Sequence, residues 1–188
     1  MKFHHALILI ASACISWSPF VLASWVFPWQ YVFLGRSLTL TGFMTLHYRG
    51  HQSPSDTDSW LVRWFRSVHD IHHVKPYWSN PPDLVGMTTD TQGFVTSWMA
   101  TYLTVFLVYM TLPSRWGLDL FSLCAIAFGG LLDLFLQGNA HYLHHWSPIK
   151  PYLPNVLRRH HSLHHTRKHV NLHAFDLSID WFFGTLVW

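Results

Sequence analysis

Glutamate is missing from this chain: its nine acidic residues are all aspartate. That absence removes two familiar ways of building a metal enzyme. A soluble di-iron carboxylate site draws Glu and Glu-x-x-His from four helices, and an HExxH zinc protease needs its Glu as general base. Cysteine is almost as scarce. Cys14 and Cys124 stand alone in apolar runs, and with no CxxC the sequence argues against iron–sulfur, thiolate-zinc and disulfide frameworks. Neither GxGxxG nor GxxxxGK[ST] occurs, so no nucleotide fingerprint is present. Charged residues make up 11% of the chain, against about 25% in soluble domains. The net charge of +3 is too mild to suggest nucleic acid, and no basic stripe alternates with aromatics.

What is abundant points to a membrane. Half of the 188 residues are hydrophobic and 17% are aromatic, including eleven Trp and fourteen Phe. The length suits a single domain, residues 1–188. The expected fold is all-α, an integral membrane protein with about four membrane-embedded helices, since a span needs roughly 20 mostly apolar residues. The apolar segments are residues 6–26, 29–46, 94–112 and 118–137. Arg36 interrupts the second, and Asp119 and Asp133 are the ionisable groups of the fourth, which marks them as functional suspects unless the span simply ends earlier. PSRWG separates the third and fourth, as a tight turn in a helical hairpin would. Residues 1–26 form a first membrane helix or, on the competing reading, a signal peptide, with Lys2 before an apolar core and VLAS after it.

Charge sets the expected topology. Residues 47–91 carry Arg49, Arg63, Arg66 and Lys75, and the tail carries Lys150, Arg158, Arg159, Arg167 and Lys168. The opposite connections carry Arg115 alone. Cytoplasmic loops collect Lys and Arg, so both basic stretches belong on the cytosolic side of a multi-pass protein, in a bacterial inner membrane or the endoplasmic reticulum.

Sixteen histidines fall mostly in those two stretches. HYRGH sets His47 and His51 one turn apart. HDIHH sets His69, His72 and His73 at i, i+3 and i+4; HYLHH repeats the spacing with His141, His144 and His145, and HSLHH with His161, His164 and His165. On a helix such residues share a face, so each motif aims two or three imidazoles into one space. These eleven exceed the four to six ligands of one metal ion and suit two. The stretch before HDIHH reads as an interfacial helix capped by Asp58 or Ser59. Its apolar stripe is Trp60, Leu61, Trp64, Phe65 and Val68, with Arg63 and Arg66 near the other side. His4 and His5 lie near the interface, His160 reads as an outward neighbour of His161, and His169 stands outside the motifs. Asp70, Asp133 and His173 are candidates to support the ligands, because a carboxylate can fix an imidazole's tautomer.

HxxxH, HxxHH, HYLHH and HSLHH, with a tail closing on Asp180, Phe183, Gly184 and Thr185, resemble the fatty acid hydroxylase/sterol desaturase superfamily. The resemblance is closest to the fatty acid 2-hydroxylase branch, covers roughly Leu46 to the C-terminus, and includes HHVKPYWSNPP from His72 to Pro82. HYLHH is one residue shorter than that branch's usual third motif, and HVNLHAFDLS replaces a Gly-rich stretch. The resemblance implies a non-haem site of two iron ions, replaceable by zinc on purification, held by the eleven motif histidines. It implies dioxygen as co-substrate, and hydroxylation of an acyl or other lipid chain. Desaturation and carotenoid hydroxylation are the alternatives within the superfamily. Breaking an alkyl C–H bond needs a redox metal, which zinc is not. The lipid is expected near Trp98, Phe106 and Phe135, with its head group among the Arg and Lys of the interface. Electrons must come from a separate donor, a cytochrome-b-type protein or a ferredoxin or flavoprotein reductase, since no such motif is in the chain. Against this stand a non-redox zinc protein, a metal transporter, which would carry its histidines inside the spans, and a scaffold, which would show broken motifs.

Overall fold

A computed structural model describes residues 3–74, 119–145, 150–173 and 175–188. Among these residues every regular element is helical: α1 Phe3–Ala23, α2 Trp29–Gly50, α3 Trp60–Val74, α4 Leu120–His145, a 3-10 turn Lys150–Tyr152, α5 Asn155–Thr166 and α6 Leu177–Phe182. The expected third span, residues 94–112, and the PSRWG turn lie outside the described residues, as do Trp98 and Phe106. Among the described residues two helices, α1 and α4 over Phe121–Gly138, are long and apolar enough to cross a membrane.

The second apolar segment does not stop at Leu46. It continues as α2 to Gly50, carrying His47 on its last turns, with His51 just beyond its end. The fourth likewise runs on, so the apolar stretch and HYLHH form one helix. Asp119 is exposed and stands just before that helix, which starts at Leu120, later than expected: its Oδ1 accepts the Ser122 N–H at 2.7 Å, as an N-cap does.

Helices α2 and α4 touch backbone to backbone. A Cβ on Gly35 would collide with the Ile126 carbonyl, and one on Gly129 with the Val32 carbonyl. Small residues at a crossing let membrane helices approach this closely. The two helices run in the same direction, since both deliver their C-terminal histidines to one place.

Arg36 explains why α2 tolerates a charge. Its side chain is fully buried, with Nε 3.4 Å from Asp133 Oδ1 and Nη2 3.4 Å from Asp176 Oδ2. Nη1 donates to the Ser16 carbonyl at 3.0 Å, and Nη2 donates to the Ser16 hydroxyl. Trp17 and Phe20 lay their rings against the guanidinium at 3.6 and 4.3 Å. One cation thus joins α1, α2, α4 and the C-terminal segment. Ser12 adds to this, accepting the Leu177 N–H at 3.0 Å.

Above this cluster lies the apolar core: Leu40, Phe43 and Met44 of α2, Phe65 of α3, Leu134 of α4, then Leu172 and Ile179. Phe43 and Phe65 end it under His47 and His69, at ring distances of 5.1 and 5.2 Å.

The close crossing yields a paired test. Gly129→Ala drives a methyl into a carbonyl that cannot swing aside, and it should cost about 1–3 kcal/mol. Gly138→Ala, on the same helix with nothing within 4 Å of its new Cβ, should be neutral or stabilising by up to about 1 kcal/mol. Thermal unfolding in detergent separates the two.

Candidate metal centre

Each histidine motif reaches the site by its own local route. Ser59 caps α3, its Oγ accepting the Val62 N–H at 3.3 Å. Asp58 instead binds Arg66, Oδ2 to Nη2 at 2.8 Å. Arg66 does not lie on an outer face as its spacing suggested. It is buried, and its guanidinium donates to the Arg49 and Gly50 carbonyls at 3.1 and 3.2 Å. Those are C-terminal carbonyls of α2, where a cation is favoured by the acceptors of the last turn and by the helix dipole. The contact fastens α3 across the end of α2 and sets His69 and His73 against His47 and His51.

Five imidazoles converge there. His47, His51, His69, His73 and His164 place their ligand atoms within 4.8 Å of one another. His69 Nε2 lies 3.0 Å from that of His47, 3.1 Å from that of His51 and 3.0 Å from that of His73. One imidazole nitrogen cannot satisfy three others through protons, because a neutral ring carries a single N–H. A shared cation can. Two nitrogens bound at about 2.0–2.1 Å are about 2.9 Å apart at a right angle and about 3.3 Å apart at the tetrahedral angle. The observed spacings fall in that interval.

His164 shows the clearest ligand geometry. Its Nδ1–H donates to the Val170 carbonyl at 3.0 Å, which leaves the Nε2 lone pair for the cluster. His141, His161 and His165 form a second group, again with ligand atoms within 4.8 Å of one another. His161 and His165 approach to 3.1 Å between Nε2 atoms, and His144 stacks on His161 at 4.7 Å. The groups adjoin through the His73 and His165 rings, 4.5 Å apart. Of the eleven motif histidines, nine are therefore placed in or against the two groups. The side chains of His72 and His145 lie outside the described residues.

Burial favours the neutral form of four imidazoles in the first group. Desolvation, then the neighbouring imidazoles, pushes His47 and His164 well below the ordinary 6.5. The same causes lower His51 to about 3 and His73 to about 2. Neutral imidazole is the metal-binding form.

The expected supporting residues are arranged differently. Asp70 is exposed enough to reach solvent and pairs with Lys168 at 3.1 Å, not with an imidazole. Asp133 engages Arg36 and accepts from Gln137 Nε2 at 2.6 Å. His173 is fully buried, and its Nδ1 accepts the Asp176 N–H at 3.0 Å, so it belongs to the C-terminal fold rather than to a ligand. Burial lowers it to about 4. His169 is exposed, 6.4 Å from His51 between ring centres. His4 and His5 stand away from the site, with His5 stacked on Trp188 at 3.9 Å. Phe135 is exposed, on the face of α4 opposite Asp133 and Gln137.

His160 overturns its expectation as an outward neighbour. It is buried, and its Nε2–H donates to Asp180 Oδ2 at 2.9 Å. Asp180 also accepts the Leu172 N–H at 2.7 Å, the His173 N–H at 3.1 Å and the Thr185 hydroxyl at 2.5 Å. Asn171, in the left-handed region at φ 52°, donates to the carbonyls of His160 and Val187 at 3.0 Å each. Gly184, at φ 72°, turns the tail back toward it. These contacts lock α5, and with it His161 and His164. Adjacent histidines on one helix point about 100° apart, which concealed His160; the acid twenty residues later was the only clue.

No protein-family model, curated protein or solved structure matches this chain.

The buried neutral imidazoles give a pH signature. The unfolded chain takes up protons below 6.5, while His51 and His73 resist until about 3 and 2. The unfolded state then binds more protons, so stability falls as pH falls. The melting temperature of metal-free protein should hold above pH 6.5 and decline steadily below it.

Proposed function

We propose that this protein is a membrane-bound two-iron oxygenase that hydroxylates the chain of a lipid. The observation that carries the reading is the pair of adjoining imidazole groups, His47, His51, His69, His73 and His164 beside His141, His161 and His165, gathered at the C-terminal ends of the apolar helices α2 and α4. The likeness of the four motifs to the fatty acid hydroxylase/sterol desaturase superfamily supports it. Iron bound there would supply the reduction of dioxygen needed to attack an alkyl C–H bond. The balance is one dioxygen, two electrons and two protons for one hydroxyl and one water.

The chain's own part is to hold, orient and shield. Val170 sets the tautomer of His164, Arg66 sets the angle between α2 and α3, and the Phe43 and Phe65 rings close the site from below. In this reading residues 94–112 form a further span, giving four, and the histidines cap the bundle on the cytosolic side. Helix α1, at 21 residues, is about 31 Å long, close to the hydrocarbon thickness of about 30 Å. Exposed Trp25 and Trp29 at one end and Trp60 and Trp181 at the other suit two interfacial aromatic belts. Exposed Arg159, Arg167 and Lys168 lie on the histidine side, as the positive-inside rule asks. Electrons come from a separate donor.

Mass spectrometry of total lipids from cells expressing the chain tests this. A lipid that gains one oxygen with the wild type but not with His164→Ala or His161→Ala is the expected result. Loss of two hydrogens instead would make it a desaturase. Protein that holds only zinc under reducing, iron-replete conditions, with lipids unchanged, would sink the oxygenase reading.

A further inference from the structure

Beyond its glycines the crossing of α2 and α4 turns polar. Val32 and Gly35 of α2 meet Ile126 and Gly129 of α4 backbone to backbone. Seven residues after Val32 comes Thr39, and seven after Ile126 comes Asp133. Each continues the helical stripe on which its backbone touches the other helix. The helices run the same way, so the register set at the glycines brings Thr39 and Asp133 to one level. Their exposures are 1% and 0%.

Thr39 Oγ1 and Asp133 Oδ1 nevertheless meet no hydrogen-bond partner among the described residues, each other included. Two fully buried neighbours of Asp133 share this condition. Arg36 Nε stands 3.4 Å from Asp133 Oδ1, close enough to pair charges but without a hydrogen bond. Gln137 donates from Nε2 to Asp133 Oδ2 at 2.6 Å, and its Oε1 meets no described donor. Buried polar groups in native proteins are almost always paired, with protein or with ordered water. Four such atoms around one carboxylate outline a ligand.

Their chemistry says which. Arg36 Nε–H and the Thr39 hydroxyl donate; Asp133 Oδ1 and Gln137 Oε1 accept. A metal cation would suit the oxygens, but the guanidinium would repel it. An anion would face Asp133 and Asp176, both paired with Arg36. A water molecule accepts two hydrogen bonds and donates two, and a buried water makes two to four. The four atoms are the complement of one water.

We propose that a water molecule is bound between α2 and α4 by Arg36 Nε, Thr39 Oγ1, Asp133 Oδ1 and Gln137 Oε1. It accepts from Arg36 and Thr39 and donates to Asp133 and Gln137. It completes the shell of the buried ion pair and extends the α2–α4 contact from the glycines toward the histidines. The site is separate from both imidazole groups and does not depend on the metal reading.

Thr39→Val tests it by the sign of its effect, since it keeps the volume and the β-branch and removes the hydroxyl. If the hydroxyl binds water, its loss lowers the melting temperature of the full chain in detergent by about 2–4 °C. If the hydroxyl has no partner, removing it relieves a burial cost, and the melting temperature holds or rises; that result overturns the proposal. Threonine-labelled wild type in bilayers gives a second readout, which decides alone should Thr39→Val fail to fold. In water-edited solid-state NMR, buried Thr39 should receive magnetisation from water about as fast as exposed Thr166, and slow transfer overturns the site. Melting in sodium chloride against choline chloride tells water from a cation. Equal temperatures are expected, and stabilisation by sodium that Thr39→Val abolishes would give the site to a cation and overturn the proposal.

Discussion

The Arg36 guanidinium is the contact on which the remainder depends. A bare cation inside an apolar bundle is expensive, and two carboxylates, a serine and two aromatic faces offset that cost only where four separate pieces of chain meet. Ser16, Asp133 and Asp176 are far apart in sequence, so the charge is satisfied in one arrangement of the helices and in few others. The glycines beside it, Gly35 and Gly129, allow α2 and α4 to come close enough for the short Asp133 side chain to reach it. Packing and electrostatics thus specify the same geometry.

At the other end of the bundle the arrangement is reversed. The imidazoles of the first group crowd together, and burial keeps His47 and His164 in the neutral form. A cation held among them would give their lone pairs a common use. The tail tightens this arrangement, since Asp180 and Asn171 bind His160 from two sides and so fix the helix that carries His161, His164 and His165.

Much of this was legible in the sequence because helical spacing is a strong signal. Three motifs with i, i+3, i+4 spacing and one with i, i+4 announced the histidine faces, and the described histidine side chains do gather. Pairing across helices was less legible. Arg66 looked like a solvent-side residue because its spacing from Arg63 says nothing of the end of α2 beneath it. Asp133 was noticed as a charge in an apolar run, but its partner is Arg36 in another helix, not a histidine in its own. His160 was misjudged for a similar reason: its acid, Asp180, comes from α6, in a tail whose φ > 0 residues, Asn171 and Gly184, leave only a faint trace in composition.

Because the apolar stretch of α4 and its histidines form one unbroken helix, that helix works as a lever. Its fulcrum is the crossing at Gly129, and His141 lies twelve residues beyond, about 18 Å along the axis. A swing of about 5° at the fulcrum would carry the imidazole by about 1.5 Å, whereas metal bonds tolerate about 0.2 Å. Bilayers that are too thick or too thin tilt the helices that cross them. In the membrane-spanning reading we propose, the precision of the imidazole groups is set in mid-membrane, by how firmly two glycines and one arginine resist the lipid around them.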